Sequence, residues 1–379
     1  MFSSKLPAAL VVGAAMLAGT ALTGCGDDND GVGTEGGGTA GASAADAKTI
    51  ALLLANTDAR PVNPRVRPAF AAELARLCAD CELLYAEAGS AGKQRSQAEA
   101  VIVQDADVLV MDPVDPASAA TIVSTAADSE IPVVSYDQLI TDANLAGYVS
   151  YDGEAVGQLQ GRSLVNALDP ADGKSVVALT GPATDDDADE PRDDAQDEAL
   201  ELLEQANVRV AERQSVADGT ASEARKQMKR AIDAVGAERI DGVYAADDQI
   251  ASGAIAAMES ADIDPSKVPT TGQGGDLAAI QRIVAGDQYM TVFRAPAPEA
   301  QAAAQLAFSL SQGTPPPSGL ITDETDNAAT DVPSALLDPV AVTRDTVKST
   351  VVGKGAYTVA QICTAQYAAA CRSAGLSGN

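Results

Sequence analysis

Short apolar segments alternate with helical patterns along most of the chain, and this alternation constrains the fold more than any other feature of the sequence. The first set of apolar segments, each short enough for one buried strand, comprises 50–55, 83–85, 108–111 and 133–135. After Tyr148 the pattern restarts, with strands predicted at 176–179, 208–214, 242–245 and 269–271. Strands that alternate with helices at this spacing are typical of βαβ units and parallel sheets. The sequence therefore predicts an α/β fold with two consecutive doubly wound, Rossmann-like sheets.

The composition excludes several classes of function. The 379 residues include 25 Lys and Arg against 54 Asp and Glu, a formal charge of −29, and there is no histidine. Nucleic-acid partners are excluded because phosphate binding depends on clustered Lys and Arg. Without histidine the chain lacks the usual base of hydrolase triads and an imidazole for a metal site. We therefore expect no catalytic residues, cofactor or metal. The length of the chain allows two domains of about 100–200 residues each.

The amino terminus indicates export. Lys5 precedes an apolar run at 10–22, and Leu22-Thr23-Gly24-Cys25 follows at once. This ending resembles the lipobox of bacterial lipoproteins, which implies cleavage before Cys25 and a lipid on that residue. A transmembrane helix is the alternative, but the run is shorter than the about 20 residues that a bilayer requires. We predict a signal peptide at 1–24, a flexible tether at 25–47, and an extracytoplasmic protein anchored to the outer face of the cell membrane or lying in the periplasm.

Four cysteines remain after Cys25, in two close pairs: Cys78 with Cys81, and Cys363 with Cys371. In an oxidising compartment they predict two local disulfides, although the sequence allows three connectivities. A redox-active first pair would need to begin a helix, where the dipole lowers a thiol pKa, whereas this pair ends a predicted helix. A structural clip is the better interpretation, and a four-cysteine zinc site is the remaining alternative. The second pair belongs to a predicted carboxyl-terminal tail at 358–379.

Polar side chains follow the predicted strands, at the edge where open parallel sheets bind ligands. Such segments occur in both halves of the chain, at 56–60, 112–113, 136–138, 181–187, 247–248 and Gln273. An Asp at a strand-to-helix turn also serves as a helix N-cap, and Asp115 and Asp248 are candidates for that role. The recurrence of polar loops on one edge of both sheets favours a binding site.

Several segments together resemble the sugar-binding lipoproteins and periplasmic proteins of ABC transporters, and within them the D-xylose-binding branch. The matching segments are 108–115 (VLVMDPVD), 134–140 (VSYDQLI), 148–152 (YVSYD), 271–273 (TGQ), 276–278 (DLA), 283–286 (IVAG), 290–294 (MTVFR) and 331–334 (DVPS). They occur in order between about residues 48 and 357.

The resemblance implies two α/β lobes, joined by a hinge of three crossing strands, with a monosaccharide in the cleft between them. The N-terminal lobe would comprise 48–148 and about 295–328, and the C-terminal lobe 149–294 and about 329–357. The crossings would lie near 149–152, 290–294 and 328–332.

The resemblance also implies the ligand-binding residues. By position, Asp137 matches a sugar-contacting Asp of the family, Arg294 stands where the family has Lys, and Arg60 matches its first-strand Arg, with Arg65 as the rival. This chain has Gln138 where the family has Arg. It has Asp186 and Asp187 in place of paired Asn, Asp247 within a changed Ser-Asn-Asp motif, and Thr220 at the position of a stacking Trp. Arg60, Asp137, Gln138, Asp187, Asp247 and Arg294 are the candidate set.

These features favour a lipid-anchored solute-binding protein that captures a monosaccharide, a xylose-like pentose or a related sugar, and delivers it to an ABC permease. The expected partners are the sugar and the permease subunits, with a monomeric chain that meets the membrane only through its lipid. A ligand-sensing lipoprotein for a membrane receptor is the first alternative. A secreted glycosidase that uses Asp187 and Asp247 as acid and base is the second.

Overall fold

The structure is a computed structural model, and it describes residues 48–58, 62–169, 173–181 and 191–376, with side chains of the helix that begins at 191 described from 195 onward. The predicted signal peptide, the tether, Cys25, Arg60, Asp186 and Asp187 lie outside these residues. The strands are β1 (Thr49–Ala55), β2 (Glu82–Ala88), β3 (Val108–Met111), β4 (Val133–Tyr136), β5 (Gly147–Tyr151), β6 (Ser175–Thr180), β7 (Arg209–Ser215), β8 (Gly242–Ala245), β9 (Gln273–Gly274), β10 (Met290–Phe293), β11 (Asp323–Asp326), β12 (Asp331–Leu337) and β13 (Val340–Thr343). The α-helices are α1 (Val66–Leu77), α2 (Ala91–Val103), α3 (Pro116–Ala127), α4 (Gly153–Leu168), α5 (Pro191–Gln205), α6 (Ala221–Val235), α7 (Asp248–Ser260), α8 (Leu277–Ala285), α9 (Pro296–Ser311), α10 (Val359–Ile362) and α11 (Ala368–Ser373).

The first lobe is built on a seven-stranded sheet in the order β11-β12-β5-β4-β3-β1-β2, in which only the β11–β12 pair is antiparallel. Strand β1 is apolar along its length because both of its faces are covered. Ile50 and Leu52 pack with α1 and α9, whereas Ala51 and Leu53 pack with α2 and α3. The predicted first doubly wound sheet is therefore present, with β11 and β12 from the later part of the chain added at one edge.

The second lobe contains two three-stranded sheets. One has the order β7-β6-β8 and is wholly parallel, and the other has the order β13-β10-β9. A single bridge between Val243 and Thr270 links them where the sequence predicted a strand at 269–271. Helices α4 and α5 pack closely because α4 carries glycine at the contact: a Cβ on Gly161 would lie only 3.0 Å from the Ala199 carbonyl oxygen.

The described chain passes between the two lobes at three places: after β5, after β10, and between β12 and β13. The sequence analysis expected crossings near 149–152, 290–294 and 328–332, whereas the third passage in the described chain lies at 338–339. The reason is that β12 still belongs to the first sheet, where it pairs in parallel with β5 and antiparallel with β11. The Tyr151 hydroxyl donates to the Ala295 carbonyl oxygen at 2.8 Å and so ties the first passage to the second.

The carboxyl-terminal residues form part of the second lobe's core. Ile362, Cys371 and Leu376 are buried against α8. The structure contains the disulfides Cys363–Cys371 and Cys78–Cys81, which is the local pairing among the three connectivities. No helix in the described ranges has the length and apolar character that a membrane span requires.

The carboxyl-terminal disulfide gives a first prediction. Replacing Cys363 and Cys371 together by Ala should lower the stability of this segment by about 2–3 kcal/mol, because the unfolded chain regains the entropy of an eight-residue separation. Hydrogen exchange should accelerate in residues 359–376 and remain unchanged in β1. Peptide mapping of native protein without reductant should recover one cross-linked peptide, and two free thiols would contradict the pairing.

Candidate functional site

A cavity of about 670 Å³ opens where the parallel strands of both lobes end. Its walls come from residues that follow β1, β3 and β4 in the first lobe and β6, β7, β8, β9 and β10 in the second. This is the edge that the sequence analysis indicated for a ligand. The acidic residues in its lining are Asp112, Asp115, Asp137, Asp218, Asp247, Asp248, Asp276 and Glu299. Among the described lining residues, Arg294 is the one cation.

Asp137 and Arg294 form an ion pair across the cleft. Arg294 Nη1 lies 2.6 Å from Asp137 Oδ1, and each side chain keeps about a quarter of its surface exposed. Burial alone would lower the pKa of Arg294, but the Asp137 carboxylate outweighs it and the pKa is raised. The guanidinium therefore stays charged at every working pH. Two residues predicted from the sequence, 157 positions apart, are thus in direct contact.

The backbone around Asp137 fixes the position of its carboxylate. Asp137 has a φ of 62°, in the left-handed region that Asp tolerates better than most residues. Its N–H donates to the Val149 carbonyl oxygen at 2.9 Å. Its own carbonyl oxygen accepts from the Ser150 hydroxyl at 2.8 Å and the Tyr148 hydroxyl at 3.1 Å. Strand β5 therefore holds the turn that presents the Asp137 side chain to the cleft.

The other candidates have different positions. Gln138 lines the cavity beside Asp137. Asp247 also lines it, and its Oδ1 caps helix α7 by accepting from the Ile250 N–H at 2.7 Å. Asp115 caps α3 as expected. Thr220, at the position of the family's stacking Trp, caps α6.

Arg65, the rival for Arg60, does not line this cavity. Its guanidinium carbon lies 4.5 Å from the centre of the Tyr357 ring, and it borders a second cavity of about 430 Å³ near the lobe crossings. The structure thus offers Arg65 no contact with the ligand cleft. The role of Arg60 stays a prediction, because that residue is not among those described.

Asp248 is not an N-cap, contrary to expectation, because Asp247 takes that role and Asp248 is the first residue of α7. Its side chain is 3% exposed and holds the loop before α8: it accepts from the Gly275 N–H at 2.7 Å and from the Gln288 amide at 2.9 Å. Burial raises the pKa of Asp248 to about 7, and the nearby Asp276 carboxylate adds to the shift. Asp248 therefore stabilises the loop before α8, and its pKa is unusually high for an Asp.

Sequence reasoning missed Glu299. It lies in the first turn of α9, where a Glu normally reads as an exposed partner of the helix dipole. In the structure its residue is 5% exposed, and Oε2 accepts from the Tyr136 hydroxyl at 3.3 Å. Burial raises the pKa of Glu299 well above its usual range, and the Asp137 carboxylate raises it further. The sequence feature that could have indicated burial is its position in an Ala-rich helix that begins directly after the second lobe crossing.

The described residues contain no group of three or more His, Cys, Asp or Glu side chains placed to hold a metal ion. The arrangement of the cleft is instead one of hydrogen-bonding groups around a polar cavity. A carboxylate and a guanidinium that face the same space can bind adjacent hydroxyl groups, one as acceptor and the other as donor.

Comparisons with known proteins agree with this architecture. The profile of the periplasmic binding protein domain matches residues 50–315. The D-xylose-binding periplasmic protein of Escherichia coli (strain K12) is 33% identical over 267 residues, which cover 70% of this chain and 78% of that protein. The protein of the same name from Haemophilus influenzae is 34% identical over 71% of this chain and 79% of its own length.

Solved structures share the fold. The carbohydrate transporter solute binding protein from Chloroflexus aurantiacus, in complex with D-glucose, superposes with a TM-score of 0.72 at 22% identity and covers 82% of this chain and 97% of its own. The two-lobed α/β architecture with a polar cleft confirms the predicted fold class. The chain belongs to the periplasmic binding protein family. Its relatives are named as binding proteins, in agreement with the expectation that it is not an enzyme.

The raised pKa of Asp248 gives a second prediction. The pKa of an Asp in the unfolded chain is about 3.9, so the native state keeps the Asp248 proton to a higher pH than the unfolded state does. The stability that this proton provides is present below pH 4 and is lost as pH rises toward 7. The unfolding free energy of the wild type minus that of Asp248→Asn should therefore fall between pH 5 and 7.5, by up to about 1.4 kcal/mol per pH unit. It should level off above pH 8.

Urea unfolding at each pH measures this difference. Asp264→Asn is the matched control, because hydrogen bonds from Ser266 lower the pKa of Asp264 and the carboxylate stays ionised throughout the range. The gap between wild type and that control should be constant. A constant gap for Asp248→Asn as well would contradict the shifted pKa.

Proposed function

We propose that the chain is a lipid-anchored solute-binding protein that captures a monosaccharide, a xylose-like pentose or a related sugar, and delivers it to an ABC permease. The observation that carries the proposal is the Asp137–Arg294 pair, which lies 2.6 Å apart in a cleft of about 670 Å³. The names of the relatives support the ligand class, since both are D-xylose-binding periplasmic proteins, 33% and 34% identical to this chain over the aligned residues.

The pair suits a sugar for a physical reason. Vicinal hydroxyls each need a donor and an acceptor, and charged partners make stronger hydrogen bonds than neutral ones. Asp137 accepts and Arg294 donates, and each side chain is only partly exposed, so water competes weakly for both. Gln138 and Asp247, which line the same cavity, extend the polar surface along the ligand.

Delivery depends on closure of the cleft. Asp137 follows β4 in the first lobe, and Arg294 follows β10 at a passage between the lobes. A ligand held by groups from both sides stabilises the closed arrangement, which is a common switching mode of two-lobed binding proteins. The permease would then recognise the closed form. The expected state of the protein is a monomer outside the cytoplasm, tethered through Cys25 and residues 25–47.

The proposed pocket gives a third prediction. Asp137→Asn and Arg294→Gln should each weaken binding of a pentose or hexose by about 5- to 150-fold, which corresponds to the 1–3 kcal/mol cost of a buried polar group left without its charged partner. A thermal-shift screen of D-xylose, D-ribose and D-glucose identifies the ligand, because binding to the native state alone raises the unfolding temperature. Calorimetry then measures each variant.

The control for these variants is Asp107→Asn. Asp107 pairs with Lys48 at 3.1 Å, with side chains 30% and 25% exposed, so this pair matches the Asp137–Arg294 pair in burial but lies outside the cavity lining. Its variant should bind the sugar as the wild type does. Unchanged affinity in both pocket variants would refute the assignment of the pocket.

The anchor gives a fourth prediction. Cys25→Ser should abolish incorporation of labelled fatty acid and move the protein from the membrane fraction to the soluble exported fraction, because no thiol remains to accept the lipid. Ser43→Ala, a tether variant with no thiol involved, should behave as wild type. Retention of Cys25→Ser in the membrane fraction with its lipid label would rule out this anchor.

A further inference from the structure

Glu299 is a buried acid in the cleft without a cation of its own. It borders the ligand cavity at the start of α9, and only 5% of its surface is exposed. Its Oε2 accepts from the Tyr136 hydroxyl at 3.3 Å. Among the described residues, no atom makes a hydrogen bond to its Oε1.

The charges around Glu299 leave its ionised form uncompensated. The titratable groups whose charges interact with Glu299 come from four strands and the residues that follow them: Tyr136 at the end of β4 and Asp137 after it, Asp112 after β3, Tyr148 and Tyr151 on β5, and Arg294 after β10. The one cation in this set, Arg294, is already paired with Asp137 at 2.6 Å. On α1, which packs along α9, the nearest carboxylate, Glu73, bonds Arg76 and Gln305 instead.

An ionised carboxylate in this position would be buried with a single hydroxyl donor and two acidic neighbours. Burying an unpaired charge costs far more than burying a neutral acid, so the group takes up a proton instead. The neutral acid has a donor to offer. Since the Tyr136 hydroxyl approaches Oε2, the proton belongs on Oε1, the oxygen without a partner.

Arg294 has a second unused donor in the same cleft. Its Nη1 is occupied by Asp137, but its Nε–H is buried and has no acceptor among the described residues. The cleft therefore contains two donors without acceptors, the Arg294 Nε–H and the proposed Glu299 O–H. An uncharged ligand oxygen that reaches either donor on binding would satisfy it.

We propose that Glu299 is a specificity-determining residue of the cleft, held as a neutral carboxylic acid that donates a hydrogen bond to a hydroxyl or ring oxygen of an uncharged ligand. This rests on the proposed function for its ligand, but the protonation of Glu299 is a property of the free protein. An ammonium group at this position would demand the ionised form, so the cleft should prefer neutral sugars to amino sugars.

Infrared spectroscopy of the free protein tests the protonation. The difference spectrum between wild type and Glu299→Gln at pH 7 should contain the carbonyl stretch of a protonated acid, which shifts in deuterated water. Glu73→Gln is the control: Glu73 is also buried, at 8% exposed, but its hydrogen bond to Arg76 lowers its pKa, so its difference spectrum should contain only carboxylate bands. Absence of the acid band for Glu299 overturns the proposal whether or not any sugar binds.

Ligand binding tests the donor. Glu299→Gln, which keeps a donor and cannot ionise, should bind the neutral sugar within about threefold of wild type. Any dependence on pH that this variant keeps should follow Asp248, which lines the same cavity and has a pKa of about 7. Glu299→Leu, which has no donor, should lose about tenfold or more while its unfolding temperature shows that it remains folded. Wild-type affinity should fall over any pH range in which the acid band disappears.

Three results would overturn this role. Glu299→Leu could bind the neutral sugar as tightly as wild type does. The wild-type affinity could stay constant while the acid band is lost. An amino sugar could bind more tightly than the neutral sugar, with an affinity that rises as the band disappears and drops in Glu299→Gln. If no sugar binds the wild type, the proposed function fails, and the infrared result still decides the state of Glu299.

Discussion

The ion pair between Asp137 and Arg294 is the interaction on which the cleft depends. Each residue follows a parallel strand at its carboxyl end, and the two strands belong to different sheets. Their contact at 2.6 Å places opposite charges on facing walls, so the cavity can offer a donor and an acceptor to one ligand. The hydroxyls of Tyr148 and Ser150 keep the Asp137 turn in place and so make the pair a fixed feature of the site.

Three buried carboxyl groups illustrate how the surroundings decide chemistry. Glu73 has a guanidinium partner, and its pKa is lowered. Asp248 has backbone and amide donors, no ion pair joins its carboxylate to a cation among the described residues, and its pKa rises to about 7. Glu299 accepts from one tyrosine hydroxyl, and burial raises its pKa well above the usual range. The number and charge of the hydrogen-bonding partners, rather than burial alone, therefore set the pKa of each of the three carboxyl groups.

The candidate site was predictable in part. Asp137, Gln138 and Asp247 follow predicted strands, and strand ends are where ligands of parallel sheets bind, so the sequence indicated them and the structure finds all three in the cavity lining. Arg65 was a reasonable rival for Arg60 by position, but packing against Tyr357 directs it to another cavity. Glu299 was not predictable, because a Glu in the first turn of a helix is normally exposed and only the tertiary packing of α9 buries it.

The sequence by itself determined the alternation of strands and helices, and with it the parallel sheets, because a β strand covered on both faces must be apolar throughout. It also determined the polar loops at the strand ends and indicated, among three connectivities, the local cysteine pairs. The tertiary structure decided that β12 belongs to the first lobe's sheet, and hence that the third crossing lies at 338–339. It also decided that the buried Asp248 carboxylate holds the loop before α8, and that Glu299 is a buried acid with no described hydrogen-bond partner for its Oε1. Those outcomes depend on contacts between residues that are far apart in the chain, and a local sequence pattern does not contain that information.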